Sequence, residues 1–328
     1  MTLSRPAHSL VAAAAAAAAA FAGGAAQAAN VNISGSFDIG VYRGFDEQKH
    51  VGTIQRSHLT LSGNEDLGGG LSATFRLQHR FEADTGAIES SGKPFWHGES
   101  SVGLKGGFGH IRFGRALDVV SNNDWAFDPW YNYDRIASPA WNNWHWNYAT
   151  DRTSNSGNAE YGRLNNGIFY DSPAMGGFSL HLSGAFEDVP GEESGNNTGV
   201  ALKYGDGTWA AMAAAQKNRS GDTVRFFGLS WTSGNWALMG AYDRSVYDAA
   251  VDSTAKVTTL GLRYAMGATN LKAGWGRRDV DGATSNFLGL GADYALSKRT
   301  SVYASFGHQD PDAGDSTHAY GVGITHAF

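Results

Sequence analysis

Arginines and tryptophans, rather than any acid–base pair, are the residues whose types and spacing could do chemistry in this chain. Between Arg115 and Arg163 stand five of its ten tryptophans, Trp125, Trp130, Trp141, Trp144 and Trp146. Tyr131, Tyr133, Tyr148 and Tyr161 stand among them, and Asp118, Asp124, Asp128, Asp134 and Asp151 are scattered through the same stretch. Arg56, Arg76, Arg80, Arg112, Arg115 and Arg163 lie on the segments just before and after it. Guanidiniums facing carboxylates set up a fixed field that concentrates ions of opposite sign. Indole faces either stack on sugars and aromatic solutes or pack one chain segment against another, the commoner use.

Bond-making chemistry has little local support. The eleven histidines are spread without metal-ligand spacing, and no HExxH occurs. His145, between Trp144 and Trp146, reads as structural. Gly86, Gly92 and Lys93 are spaced one residue too widely for a phosphate loop, and Pro94 stands where Ser or Thr should. There is no G-x-S-x-G elbow and no cysteine. No cofactor or metal is implied. A serine–histidine pair assembled across strands would leave no motif, so a membrane-barrel enzyme stays as a minor alternative. An adhesive barrel is another.

The segment 116–162 shows neither strand nor helix periodicity. Structureless connections beyond about 15 residues are uncommon in compact folds unless functional or disordered, and disordered segments are poor in aromatics. An ordered loop with a function is the reading that remains.

The elements that must hold this loop are strands. Leu71, Ala73, Phe75, Leu77 and Phe81 alternate with Ser72, Thr74, Arg76, Gln78 and Arg80, a period of two that marks a half-buried strand. The pattern recurs at 31–41, 178–186, 200–204, 259–264, 288–294 and 319–328. Short connections, such as Gly63–Gly70, Gly106–Gly109 and Gly205–Gly207, alternate with longer polar ones, such as Gly44–His50, Ala83–Trp96 and Asp279–Ser285. The count is sixteen strands. About 19 residues per strand and connection compares with the ~10 that a tilted strand needs to cross an apolar bilayer. Trp209, Trp231, Trp236, Tyr264 and Tyr294 gather at strand ends, where an interfacial aromatic girdle belongs. A soluble sandwich would share the alternation, but not the short/long rhythm or the aromatic ends.

Composition agrees. Forty-four glycines and seven prolines suit many tight turns. Arg5 and His8, an alanine-rich run to Ala22, and Ala26-Gln27-Ala28 form a secretory signal peptide, 1–28, leaving 29–328 as one domain. The remaining chain is mildly acidic, which argues against nucleic acid as a partner. No later run is apolar enough for a membrane helix, so a membrane location demands a closed barrel.

The chain resembles the Gram-negative general porins, particularly the trimeric porins of β-proteobacteria. Asn64-Glu65-Asp66-Leu67-Gly68 and Val102-Gly103-Leu104-Lys105-Gly106 resemble that family's first two periplasmic turns. Phe113-Gly114-Arg115 and Tyr170-Asp171-Ser172-Pro173 resemble the strands entering and leaving its long loop. Tyr294-Ala295-Leu296-Ser297-Lys298 and Val322-Gly323-Ile324-Thr325-His326-Ala327-Phe328 resemble its last turn and closing strand. The resemblance implies a 16-stranded antiparallel transmembrane β-barrel with short periplasmic turns and long extracellular loops. It implies a homotrimer in outer-membrane lipid, with the third loop folded inward to narrow a pore for ions and small hydrophilic solutes. It also makes Phe328 part of the signal read by the barrel-assembly machinery. The six arginines are then the expected basic wall, and Asp118, Asp124 and Asp128 the expected acidic face. Phe169 departs from the family, which often has a basic residue there, and is expected to make the lumen more apolar. The arginines favour anions.

Overall fold

The computed structural model describes residues 30–89, 93–149, 162–185 and 196–328. The export leader expected at 1–28 lies outside them, as does 150–161 of the long loop. Six strand segments precede that loop: β1 (Asn30–Arg43), β2 (Lys49–Gly52), β3 (Ser57–Gly68), β4 (Leu71–Phe81), β5 (Glu99–Gly106) and β6 (Gly109–Leu117). The described part of the loop carries a 3₁₀ turn (Asp124–Phe127) and a short helix, α1 (Pro139–Asn143). After it come β7 (Arg163–Asp171), β8 (Phe178–Ala185), β9 (Asn197–Gly205), β10 (Trp209–Lys217), β11 (Thr223–Ser233) and β12 (Trp236–Tyr247). The chain finishes with β13 (Ser253–Met266), β14 (Thr269–Val280), β15 (Ala283–Ala295), β16 (Thr300–Asp310) and β17 (Thr317–Ala327).

Apart from β2 and β3, which both pair with β1, each strand pairs antiparallel with its neighbour in sequence, and β1 pairs with β17 from Ser36↔Ala327 to Arg43↔Tyr320, which closes the sheet. The amphipathic period decides which face is which. Phe227, Leu229, Leu260, Leu288 and Val322 are exposed on the outside. Their neighbours in sequence point inward and are mostly glycine or polar, with Phe226 and Phe287 as buried aromatic exceptions. Trp209 and Trp231 pair across β10 and β11 beside the short turns, as do Trp236 and Tyr264 across β12 and β13. That is the girdle expected at one lipid–water boundary. One connection differs from expectation: the stretch Asp279–Ser285 is not a long loop. Asp281 and Gly282, at φ 53° and 99°, turn directly from β14 into β15, as the Asp-Gly pair of a two-residue hairpin demands.

Counted as staves, the segments number sixteen, because β2 and β3 are halves of one. Both pair with β1, β2 along Gly40–Arg43 and β3 along Asn30–Ser36. Between them Thr53–Arg56 leaves the ladder. Buried Asp38 replaces the lost partners: Oδ1 accepts the Ile54 and Gln55 N–H groups at 3.0 and 2.8 Å, and the Tyr303 hydroxyl donates to Oδ2 at 2.8 Å. The break turns Ile54 inward against Ile136 and Tyr303, and the Ile54 carbonyl accepts the Arg135 N–H at 3.0 Å. The long loop is thus tied to the interruption of the wall.

Elsewhere the loop lies flat on the inner face of β11–β16. Close approach of two backbones requires positions without a Cβ. Gly228, Gly261, Gly274, Gly289 and Gly307 provide them, one strand after another. A Cβ at Gly228 would meet the Phe127 ring, and at Gly261 or Gly274 the rings of Pro129 or Pro139. At Gly289 and Gly307 it would overlap the carbonyl oxygens of Ala137 and Ile136. Beside this track, Val120, Phe127, Trp144 and Tyr148 of the loop bury against Met212, Val224, Phe226 and Val257 of the wall. Each large apolar side chain so buried contributes about 1.5–3 kcal/mol.

An ionic latch completes the docking. His145 sits between two buried carboxylates: Nε2 is 2.8 Å from Asp124 Oδ2 in the loop, and Nδ1 meets Asp243 Oδ2 on β12. Burial opposes the charged imidazole, but the two carboxylates outweigh it and raise the His145 pKa to about 10. Two predictions follow from this docking. Gly289→Leu drives a side chain into the Ala137 carbonyl and lowers the unfolding free energy by about 1–3 kcal/mol. Gly205→Ala, at a site with open space around it, stays within about 0.5 kcal/mol of the parent. Chemical denaturation in detergent compares them. Because the folded pKa of His145 lies above its usual value, its stabilisation is complete below about pH 6.5 and is lost as pH rises through about 10. His145→Gln therefore loses about 3–5 kcal/mol at neutral pH. In a pH series of denaturation curves it also lacks the alkaline fall-off shown by the parent.

Candidate functional site

With the loop held on β11–β16, the open side of the interior faces β3–β6. Period two places Arg76, Gln78 and Arg80 of β4 on that inner face, and hydrogen-bonded neighbours extend it to Glu99 and Ser101 of β5. Arg112 of β6 and Asp171 of β7 continue it. These residues line a cavity of about 590 Å³ that the loop closes from the other side. Arg76 is the most open guanidinium, at 45% exposure, with Nε 3.0 Å from Glu99 Oε2. Arg112 donates to Glu99 Oε1 at 3.3 Å and to Asp171 Oδ2 at 3.1 Å. Arg56, in the break between β2 and β3, places its guanidinium 4.6 Å from the centre of the Tyr133 ring.

Arg80 and Arg163 also border the cavity but are buried behind it. Arg80 donates to Gln78 at 3.3 Å, and Arg163 to the Gly98 carbonyl at 2.9 Å. Arg115, buried as well, bonds the His97 carbonyl and Asn165, so it fixes the wall where the loop departs and does not face the cavity. Of the six arginines expected on the basic wall, five therefore converge on one cavity.

The expected acidic face is corrected. Asp118, Asp124 and Asp128 are all buried and hold the loop together. Asp118 accepts the Ser121 N–H at 2.7 Å, and Asp124 belongs to the His145 latch. Asp128 accepts the N–H groups of Trp130, Asn132 and Ala140 and the Ser138 hydroxyl. A turn-rich loop pressed against a wall leaves many N–H groups without water, and short carboxylates satisfy them. Burial pushes the Asp128 pKa up, and its backbone donors pull it part of the way back.

The carboxylates that do face the cavity, Glu99 and Asp171, come from the wall. Their signal in sequence was parity alone: Glu99 alternates with the outward Val102 and Leu104, and Asp171 shares the face of Phe169. A buried carboxylate behind the cavity, Glu89, had no sequence signal. It is buried beneath the second long connection, 3.2 Å from Arg135, 3.7 Å from Arg80, 3.8 Å from His97 and 3.9 Å from Arg56. Burial alone would raise its pKa, but His97 and the three guanidiniums hold it well below the usual carboxylate range. Phe169 is buried under the Arg112 guanidinium, 5.4 Å away, so it braces that charge and does not expose an apolar lumen surface.

The tryptophans divide between packing and exposure. Trp130 and Trp144 are buried against the wall, and Trp144 Nε1 donates to Thr259 at 3.2 Å. Trp125 and Trp141 border the large cavity together with Tyr131 and Tyr133. Trp146 is exposed in a second, smaller space. Phe328 lies apart from all of these. Its backbone exchanges hydrogen bonds with Gly35 of β1 at 3.1 Å each way, and its ring rests over that glycine.

A wide closed sheet with a charged interior is the architecture of outer-membrane channels, and comparison with known proteins agrees. The model of the Gram-negative porin family matches residues 12–326. Outer membrane porin protein 32 of Delftia acidovorans is 27% identical over 86% of this chain and 88% of its own length. Major outer membrane protein P.IB of Neisseria meningitidis serogroup B is 26% identical over 92% of this chain and 88% of its own. The solved structure of an anion-selective porin from Comamonas acidovorans superposes with a TM-score of 0.77 at 25% identity, covering 92% of this chain and all of that one. With sixteen staves closed into one barrel, the chain belongs to the Gram-negative porin family and resides in the outer membrane.

Proposed function

We propose that the long loop narrows a water-filled pore and leaves its passage along the arginine wall, where small hydrophilic anions diffuse in preference to cations. The carrying observation is the lining of the large cavity. Among the described residues, Arg56, Arg76, Arg80, Arg112 and Arg163 surround it against the carboxylates of Glu99 and Asp171. Fixed charge in a narrow aqueous zone enriches the ion of opposite sign. The description of the Comamonas relative as anion-selective supports the same reading.

The working unit is a homotrimer. Support comes from the outer face of the closing seam, where Ile39, Val41, Val302, Val322 and Ile324 stand beside Gly40 and Gly323, leaving an apolar recess that a neighbouring barrel fits. Phe328, at the end of the closing strand, is the residue for the barrel-assembly machinery to read. A second reading, a channel that prefers ring-bearing solutes, is favoured by one observation: Trp125, Tyr131, Tyr133 and Trp141 border the same cavity as the arginines.

Refolded protein in planar bilayers tests the proposal. Large steps closing in threes, with a reversal potential of anionic sign in a salt gradient, are expected. One unit charge contributes about 1 kcal/mol at contact distance in water. Arg76→Ala therefore lowers the anion-to-cation permeability ratio by up to about five-fold, less at high salt because of screening. A folded barrel that passes no current contradicts the pore and brings the enzyme or adhesin alternatives forward. An unchanged ratio in Arg76→Ala contradicts the arginine wall.

A further inference from the structure

We propose that the smaller cavity between Trp141, Trp146 and Arg278 is a binding station for one pyranose sugar ring. The inference rests on the interior being open to solutes and goes beyond ion preference. The cavity, about 210 Å³, lies toward the long-loop end of β14–β16. That is below the ~300 Å³ at which drug-sized pockets begin, and suits a monosaccharide.

Trp146 is the first argument. Trp130 and Trp144 are each 3% exposed, whereas Trp146 is 53% exposed although it adjoins the pinned His145. Packing does not account for it. The ring is nevertheless held firmly: the Arg278 guanidinium lies 3.4 Å from its centre, and Arg278 donates to the Asn142 carbonyl at 3.0 Å and to Asn143 Oδ1 at 3.4 Å. His145, at φ 54°, directs the chain so that Trp146 leaves the buried side of the loop. An indole fixed in place and left wet is preorganised for a flat apolar face.

The rest of the lining decides which flat face. Ser285, Asn286, Gln309 and Asp310 border the same space, so donors and acceptors of both kinds surround the indoles. A pyranose offers an apolar C–H face to the ring and hydroxyls to that rim. An aromatic acid would leave most of the rim amide and hydroxyl groups unpaired, and its carboxylate would meet Asp310 on the same rim. The Arg278 guanidinium that could attract it is already engaged by the Asn142 carbonyl and Asn143 Oδ1. Trp141 borders both cavities, so the station adjoins the arginine-lined one.

The test adds glucose to the long-loop side of channels in a planar bilayer, with sorbitol at equal concentration as the acyclic polyol. Glucose is expected to interrupt the current saturably, and sorbitol only to lower conductance in proportion to viscosity. Trp146→Ala weakens glucose block about ten-fold, the equivalent of roughly 1.4 kcal/mol. If that variant fails to fold, Trp146→Phe carries the test with an expected loss of about three-fold. Equal effects of glucose and sorbitol, or glucose block unchanged in the variant, overturn the station. Benzoate blocking more tightly than glucose overturns the sugar assignment. If the barrel passes no current, the pore reading fails separately. The station is then read from tryptophan fluorescence in detergent, where a saturable glucose shift lost in Trp146→Ala supports it and no shift overturns it.

Discussion

The structure depends on contact between two backbones across the barrel interior. Sixteen staves enclose more space than their own side chains can fill, and here a chain segment fills part of it. To lie against the wall, the loop needs strand positions without a Cβ, and Gly228, Gly261, Gly274, Gly289 and Gly307 meet that need on the side formed by β11–β16. The contact leaves no room for a Cβ, against the loop backbone at Gly289 and Gly307 and against the rings of Phe127, Pro129 and Pro139 at Gly228, Gly261 and Gly274. It is therefore intolerant of substitution, and one side of the interior is committed to it. The apolar cluster around Phe127 and Trp144 and the buried His145 latch then hold what the glycines admit.

That commitment makes the interior asymmetric. On β11–β16 the wall meets the loop with glycines, the apolar side chains Val224, Phe226 and Val257, and single polar partners such as Asp243 and Arg278, while the arginine cluster stands on and beside β3–β7. The arginines are arranged in layers: Arg76 and Arg112 meet the cavity, and Arg80 and Arg163 lie behind them. Glu89 compensates the group from below, where it faces Arg56, Arg80 and Arg135 together. Several like charges can therefore stand close together in a low-dielectric wall, while those in front keep an excess toward water.

Much of this was legible in the sequence, for a physical reason. Strand period reports which face meets lipid, and the outward residues, such as Leu71, Phe227 and Val322, must be apolar in every register that works. The arginines on β4 and β6 inherit their direction from the same period. The loop carboxylates were misassigned because an aspartate beside a pore and one that caps buried N–H groups look alike; only the partners of Asp124 and Asp128 distinguish them. Glu89 was invisible because its connection has no period. The turn at Asp281-Gly282 was available as a two-residue hairpin signal and was obscured by polar neighbours. The inward glycines were counted with the turn formers, because a strand's own period does not tell which glycines another chain segment rests on.

The most direct test of this account is thiol accessibility, since the chain has no cysteine of its own. Tyr133 is exposed to the arginine-lined cavity, and Ile136, three residues on, is buried against the wall. In protein carrying Tyr133→Cys, a charged methanethiosulfonate reagent should react within seconds and lower the current. In protein carrying Ile136→Cys it should leave the current unchanged. The reverse pattern, or equal reactivity at both sites, would mean that the loop does not rest on the glycine-bearing wall and that the pore does not run along the arginines.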